Sequence, residues 1–456
     1  MKKRKIWLAV WTGLMMLLLT GCFFRSVDQL YAVPQPPPDY EALRVRLNEV
    51  VAMGGEYAAP LSGDMIQSVQ LQDLDGDGRQ EAIAFFRLPN EEKPLKIYMF
   101  RQVGDSYETM GVIEGAATAV NYVDYAQMDD GIYKEIVISW QLTAQVHALA
   151  VYSVGPDQVE EILRTDYDSY KLTDLDQDNQ QELVVFRTPP EAAPRAEFYD
   201  FDGVLSLAGE APLSTGAIID QDGVVKTDYL TTIQVGYLAD RVPAVFATST
   251  YGEGGAITDV FIAKEGKLKN VTLSPVTGES GETIRYYTQA GIRDVNGDGI
   301  MEVPQPVPLA DPALTGNTVG FWIVRWRQFG SDGSSEQVMS TYYNDRDGWY
   351  FILPDAWEKN LSLSRTDVTI SGERAVTFSW REGTGDPAPF LTIYKLTGTN
   401  RTIRARRGQR FVIPTAGVDD GATIYAAEFR DGWDCGLTQE EVIQRFAVIR
   451  SDWYNG

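Results

Sequence analysis

Three stretches of this chain read alike: Asp73-Leu-Asp75-Gly76-Asp77-Gly78-Arg79-Gln-Glu81-Ala-Ile-Ala-Phe-Phe86, Asp174-Leu-Asp176-Gln-Asp178-Asn179-Gln180-Gln-Glu182-Leu-Val-Val-Phe186 and Asp294-Val-Asn296-Gly-Asp298-Gly299-Ile300-Met-Glu302-Val303. Each places an oxygen-bearing side chain at positions 1, 3, 5 and 9, with Gly or Asn at position 6. Alternate residues of a tightly turned loop point inward, so positions 1, 3 and 5 converge. Gly78 and Gly299 permit the sharp bend, and Asn179 tolerates the same left-handed backbone. Position 7 (Arg79, Gln180, Ile300) offers a main-chain carbonyl, and Glu81, Glu182 and Glu302 return a carboxylate from the next strand. An all-oxygen donor set suits Ca²⁺, whereas zinc prefers nitrogen and sulfur. Asn179 and Asn296 depart from the pattern, which ranks the Asp73 loop first. These are not EF-hands: position 12 holds Ala84, Val185 and Gln305 instead of glutamate, and strands flank each loop instead of helices.

The loops mark a repeat. Their offsets are 101 and 120 residues, and a degraded copy lies midway through each interval. The first runs from Tyr122-Val-Asp124 through Asp130-Gly131 to Glu135-Ile-Val-Ile-Ser-Trp140, with two ligand positions lost, so it is expected to be empty. The second pairs Thr231–Tyr237 with Pro243–Thr248 and keeps no acidic loop. A unit of roughly 50–60 residues with four short strands predicts propeller blades, five of them between about 60 and 345. A β-sandwich array is the alternative, but it needs about 100 residues per unit.

The Asp-x-Asp-x-Asp-Gly-x-x-Glu loop followed by a strand resembles the FG-GAP/VCBS repeat of integrin-type propellers and bacterial surface proteins. The whole chain also resembles clostridial lipoproteins in which such repeats follow a lipobox and a proline-rich tether. The resemblance implies up to three structural calcium ions, each tying two strands of a blade. The Phe-Gly and Gly-Ala-Pro elements of the repeat are not evident, so only its calcium half carries over.

The ends of the chain read differently. Lys2, Lys3, Arg4 and Lys5 precede an apolar stretch, Ile6–Leu19, that is short for a spanning helix. Leu19-Thr20-Gly21-Cys22 resembles a bacterial lipobox, which implies a signal peptide over 1–21 and lipidation of Cys22. Residues 22–38 hold Pro34, Pro36, Pro37 and Pro38 and read as an extended tether. This predicts an extracytoplasmic protein attached to the cell membrane by lipid. A short helix opens the body (39–345), capped by Asp39, with Leu43, Leu47, Val50 and Val51 on one face and Gly54 at its end. Beyond Asp345-Arg-Asp347-Gly348 the period is lost, and 346–456 is expected to be a small α+β module. Its last helix starts at the capping box Thr438–Glu441, with Leu437 and Val442 as a staple. It is expected to run to about Trp453, with Ile443, Phe446 and Ile449 on one face. Arg401, Arg404, Arg406, Arg407 and Arg410 form one basic cluster: an anion site, or, as favoured here, an exposed hairpin docked on the acidic body.

Composition narrows the function. The 456 residues carry a formal charge of −24, with 64 acidic and 40 basic side chains. That balance excludes the basic footprint of a nucleic-acid binder. One histidine, His147, rules out a multi-His metal centre. With Cys22 lipidated, Cys435 has no partner for a disulfide and reads as a buried small hydrophobe. The βα alternation of solute-binding lipoproteins is absent. The reading that accounts for most features is a binding or scaffold lipoprotein, not an enzyme, with a surface protein or glycan as partner. The alternative is a glycoside hydrolase working with two carboxylates.

Overall fold

The computed structural model describes residues 41–156, 158–188, 193–219, 229–310, 319–368, 371–415 and 422–449. The expected signal peptide and tether, with Cys22 and Asp39, and Trp453 lie outside the described residues. The chain forms two compact units, Met1–Val120 with Gly155–Val159, and Asn121–Val154 with Glu160–Gly456.

The first unit contains α1 (Glu41–Ala52) and sheet one: β1 (Glu56–Tyr57), β2 (Val69–Gln72), β3 (Glu81–Arg87), β4 (Leu95–Val103) and β5 (Ser106–Gly115). Both β1 and β2 pair with β3. Helix α1 ends at Gly54, whose φ of 93° suits glycine. Leu43 and Val50 are buried on Ala82, Ala84 and Phe86 of β3. Val51, expected on the same face, is 43 % exposed; it follows Val50 by one residue, about 100° around the helix.

The second unit repeats the four-stranded meander. Sheet two is β6 (Ala119–Ala126), β7 (Glu135–Gln141), β8 (His147–Val154) and β9 (Val159–Asp166). Sheet three is β10 (Ser169–Thr173), β11 (Glu182–Arg187), β12 (Arg195–Phe201) and β13 (Leu205–Pro212). The short helix α2 (Thr215–Ile218) leads to sheet four: β14 (Leu230–Tyr237), β15 (Pro243–Tyr251), β16 (Gly255–Lys264) and β17 (Lys267–Asn270). Sheet five is β18 (Glu302–Ala310), β19 (Val319–Phe329), β20 (Ser335–Asn344) and β21 (Trp349–Ile352). In place of its first strand, Arg293 and Glu302 form a single antiparallel bridge.

The second strand of each of sheets one to four is buried on both faces, which explains its unbroken apolar run. Side chains alternate across a strand, so the two faces meet different neighbours. In β11, Leu183 and Val185 pack with Val137 and Leu149 of sheet two, while Val184 and Phe186 pack with Val245 and Ala247 of sheet four. Ala244 and Phe246 then meet Val303 and Phe329 of sheet five. Sheets two to five therefore stack face to face in chain order. Counted from the strand's opening glutamate, Ala82 and Ala84 correspond to Leu183 and Val185, the face that meets the preceding sheet. In sheet one that face carries α1.

The C-terminal part holds β22 (Leu361–Val368), β23 (Glu373–Trp380), β24 (Ala388–Thr397), α3 (Arg401–Arg404), β25 (Phe411–Ile413), β26 (Thr423–Phe429), α4 (Gln439–Arg445) and β27 (Phe446–Val448). Sheet six runs β22-β23-β24-β26-β25. Residue 346 is not a break in packing. β27 returns to pair with β21, and one cluster joins Phe321, Ile323 and Phe351 of sheet five to Leu363, Phe378 and Ile393 of sheet six. The capping box at Thr438 and Glu441 is present. The helix stops at Arg445, however, because Phe446–Val448 gain a sheet partner in Trp349–Phe351.

Candidate metal-binding loops

The three acidic loops adopt one geometry, assembled from the same hydrogen bonds. The position-9 glutamates are all buried: Glu81 is 3 %, Glu182 1 % and Glu302 0 % exposed. One carboxylate oxygen of each accepts the N–H of loop position 2, from Leu74 at 2.8 Å, Leu175 at 2.6 Å and Val295 at 2.7 Å. The position-1 aspartate accepts the N–H of position 6, from Gly78 at 3.1 Å, Asn179 at 3.1 Å and Gly299 at 2.8 Å. The position-5 aspartate accepts the N–H of position 7, that of Arg79, Gln180 or Ile300. Positions 4 and 6 both take positive φ: Gly76 and Gly78, Gln177 and Asn179, Gly297 and Gly299. Gln177 and Asn179 hold that shape without being glycine, at a cost of roughly 1 kcal/mol each.

These bonds point the remaining oxygens at one another. Carboxylate oxygens of Asp174, Asp176, Asp178 and Glu182 lie within 4.8 Å of each other, as do those of Asp73, Asp75 and Glu81, and of Asp294, Asp298 and Glu302. Clusters of this kind can hold a metal ion. Asp77 stands outside the first group, and Asn296 contributes an amide in the third.

The loops are not equivalent. Buried oxygens of Asp73, Asp174 and Glu182 have no hydrogen-bond partner. An unpaired buried carboxylate oxygen is costly, and a cation would satisfy it. In the third loop, Gln328 of β19 donates its amide to Asp298 at 2.8 Å and to Glu302 at 2.7 Å. Asn296 also donates to Asp298 at 2.9 Å. Gln328 thus supplies a positive dipole to both Asp298 and the buried Glu302, whereas in the Asp174 loop Gln180 donates its amide to Asp178 at 3.1 Å and an oxygen of Glu182 stays unpaired. The ranking read from sequence changes accordingly: the Asp174 loop gathers the most carboxylates and leaves the most oxygens unpaired, and Asn179 fits its left-handed position.

Electrostatics follow burial. Burial, opposed by the Leu175 N–H and reinforced by the neighbouring aspartates, pushes Glu182 up to about 8. Burial likewise pushes Glu302 to about 7 and raises Glu81.

A fourth copy of the glutamate bond exists in sheet two. Glu135 accepts the N–H of Met128 at 3.0 Å, seven residues back, as in the other loops. Position 1 of this copy is therefore Gln127, and Asp124 lies outside the loop. Asp124 instead accepts the Tyr170 hydroxyl at 2.6 Å. Gln127 and Gln328 are the two residues that sequence reasoning missed. Neither belongs to a metal-ligand pattern, although counting back from Glu135 would have found Gln127.

The other sequence candidates separate. The arginine cluster is a helical turn, not an exposed hairpin. Arg410 bonds Glu373 at 2.8 Å and lies 3.6 Å over the Tyr394 ring, and Arg404 also faces Glu373. Arg406 and Arg407 are exposed beside a shallow groove lined by Gly372, Asn400 and Ile403. Cys435 is half-buried against the shared core, and burial raises its thiol pKa. His147 opens β8, with its ring 6.3 Å from Tyr167. No described helix is long and apolar enough to cross a membrane.

No protein-family model and no curated protein matches the sequence. Among solved structures, the chain is similar to a Bacillus licheniformis rhamnogalacturonan lyase at 11 % identity and a TM-score of 0.31, over 62 % of this chain and 70 % of that one. Rhamnogalacturonan lyase YesW gives 11 % and 0.30, over 60 % and 66 %. A Phanerochaete chrysosporium exo-β-1,3-galactanase gives 9 % and 0.22, over 78 % and 81 %. These carbohydrate-active enzymes are weak structural neighbours, and likeness at this level assigns no reaction.

The raised carboxyls set a pH dependence. A glutamate with a raised folded-state pKa holds its proton more tightly in the folded chain. In chelator, its contribution to stability is fullest below the ordinary carboxylate range and is lost as pH rises towards about 8. A bound cation favours the carboxylate and removes that loss. The stabilisation by a saturating cation should therefore grow from pH 5 to pH 8, by about a few kcal/mol in total. Paired thermal melts at each pH check this; a gain independent of pH would contradict it.

Proposed function

We propose that this is a lipid-anchored, extracytoplasmic binding or scaffold protein of the FG-GAP/VCBS type. Its body is a propeller-type array of blades stiffened by calcium, with a surface protein or glycan as its partner. The observation that carries the reading is the shared loop geometry with unpaired buried oxygens on Asp73, Asp174 and Glu182. The donors are all oxygens at EF-hand-like spacing, which favours calcium over softer metals. Each ion would tie the end of one strand to the start of the next.

Cys22 and the residues before it support the anchor. Attachment by lipid leaves the body outside the membrane, and the proline-rich tether separates the two. The acidic body and the lack of a histidine-based site favour binding over catalysis.

Millimolar calcium should raise the melting temperature by several degrees, following the ratio of free ion to dissociation constant. Asp174→Asn should remove a substantial part of that shift, and an unchanged melt with calcium would sink the calcium reading. In a bacterial host, labelled palmitate should enter the wild-type chain and not Cys22→Ala; equal labelling would exclude the anchor. Cleavage of a glycan panel, lost on replacing one carboxylate outside the loops, would overturn the choice of binding over catalysis.

A further inference from the structure

The second copy of the loop keeps the buried glutamate. Glu135 is 2 % exposed and its pKa is raised to about 7, mainly by burial. The loop has lost the left-handed positions: Asp130 and Ile132 stand where the other copies place residues of positive φ, and neither has one. It has also lost two carboxylates, since position 1 is Gln127 and position 5 is Gly131.

The side-chain nitrogen of Gln127 is surrounded by oxygens. It donates to the carbonyl of Asp129 at 3.0 Å and of Gly131 at 2.9 Å. It also lies 3.5 Å from the Asp129 carboxylate and 3.5 Å from the Tyr133 carbonyl. Tyr133 occupies position 7, which is expected to present its carbonyl to an ion in the other copies. An amide nitrogen has two N–H donors and no acceptor, so four oxygens around it describe a cation-like role. Gln328 performs a related task at the third loop, reaching Asp298 and Glu302 from a neighbouring strand.

We infer that the second loop is a calcium site whose ion has been replaced by the chain's own amide, and that Gln127→Asp is enough to make it bind calcium. The inference rests on the calcium reading of the other loops. The variant replaces the amide by a carboxylate one methylene shorter, which vacates the amide's place among these oxygens and adds a negative charge beside it. The carboxylate of Asp129 and the carbonyls of Asp129, Gly131 and Tyr133 remain around the place that the amide leaves. At position 5, Gly131 donates its N–H to the Asp129 carboxylate at 2.8 Å, which holds that side chain in the loop.

The test counts calcium bound per full-length chain after equilibrium dialysis, in wild type, Gln127→Asp and Gln127→Ala. Gln127→Asp should bind one calcium more than wild type. In chelator, Gln127→Asp and Gln127→Ala should both melt below wild type, and calcium should restore Gln127→Asp selectively. An equal count in Gln127→Asp and wild type, with calcium present in wild type, would overturn the inference and leave the calcium reading standing. No calcium in wild type would overturn that reading and, with it, the inference. If Gln127→Asp fails to fold without calcium, expression in calcium followed by the same count decides between these outcomes. A Gln127→Ala melt equal to wild type in chelator would overturn the amide's stabilising role.

Discussion

A buried glutamate at the head of a strand reaches back seven residues to hold one backbone N–H. This bond occurs at Glu81, Glu135, Glu182 and Glu302, at 2.6 to 3.0 Å. It fixes the loop to the strand that follows and leaves the second carboxylate oxygen facing the loop interior. A buried carboxylate needs a compensating positive charge, a hydrogen-bond donor or a proton. The four copies present different solutions. At Glu302 an amide is supplied by Gln328, whereas in the Glu135 loop the Gln127 amide bonds the carbonyls of Asp129 and Gly131. At Glu182 the oxygen is left unpaired, and burial pushes the carboxyl pKa up to about 8.

The strand attached to each glutamate is also the strand buried on both faces, so the loop and the core share one element. Val184 and Phe186 pack on sheet four, Leu183 and Val185 on sheet two, and Glu182 heads the same strand. Movement of a loop would therefore be felt by two layers of core. The far end of the stack is secured by other means. β27 adds the end of the described chain to sheet five, and Phe446 packs on Trp349 and Tyr425 with ring centroids 5.5 and 5.0 Å away.

Much of this was legible in the sequence because period and chemistry coincide. The acidic spacing located the loops, and the apolar runs after them located β3, β11 and the strands that pair with them. What escaped depended on residues remote in sequence or neutral in character. Gln328 lies 26 residues beyond Glu302 and belongs to no motif. The damaged copy was placed from Asp124, whereas the bond from Met128 to Glu135 sets its register at Gln127. Helical spacing continued past Arg445, but pairing of Phe446–Val448 with Trp349–Phe351 overrode local propensity. The arginine cluster looked like a surface feature until Glu373, on a separate strand, accounted for Arg410 and Arg404.

The most direct measurement is a crystal structure of the full chain grown in calcium, with anomalous scattering used to identify ions. The account predicts ions among Asp73, Asp75 and Glu81 and among Asp174, Asp176, Asp178 and Glu182, with oxygens at about 2.3–2.6 Å. It predicts none beside Gln127. Water alone in the Asp174 loop, or an ion bound beside an unmoved Gln127 amide, would contradict it.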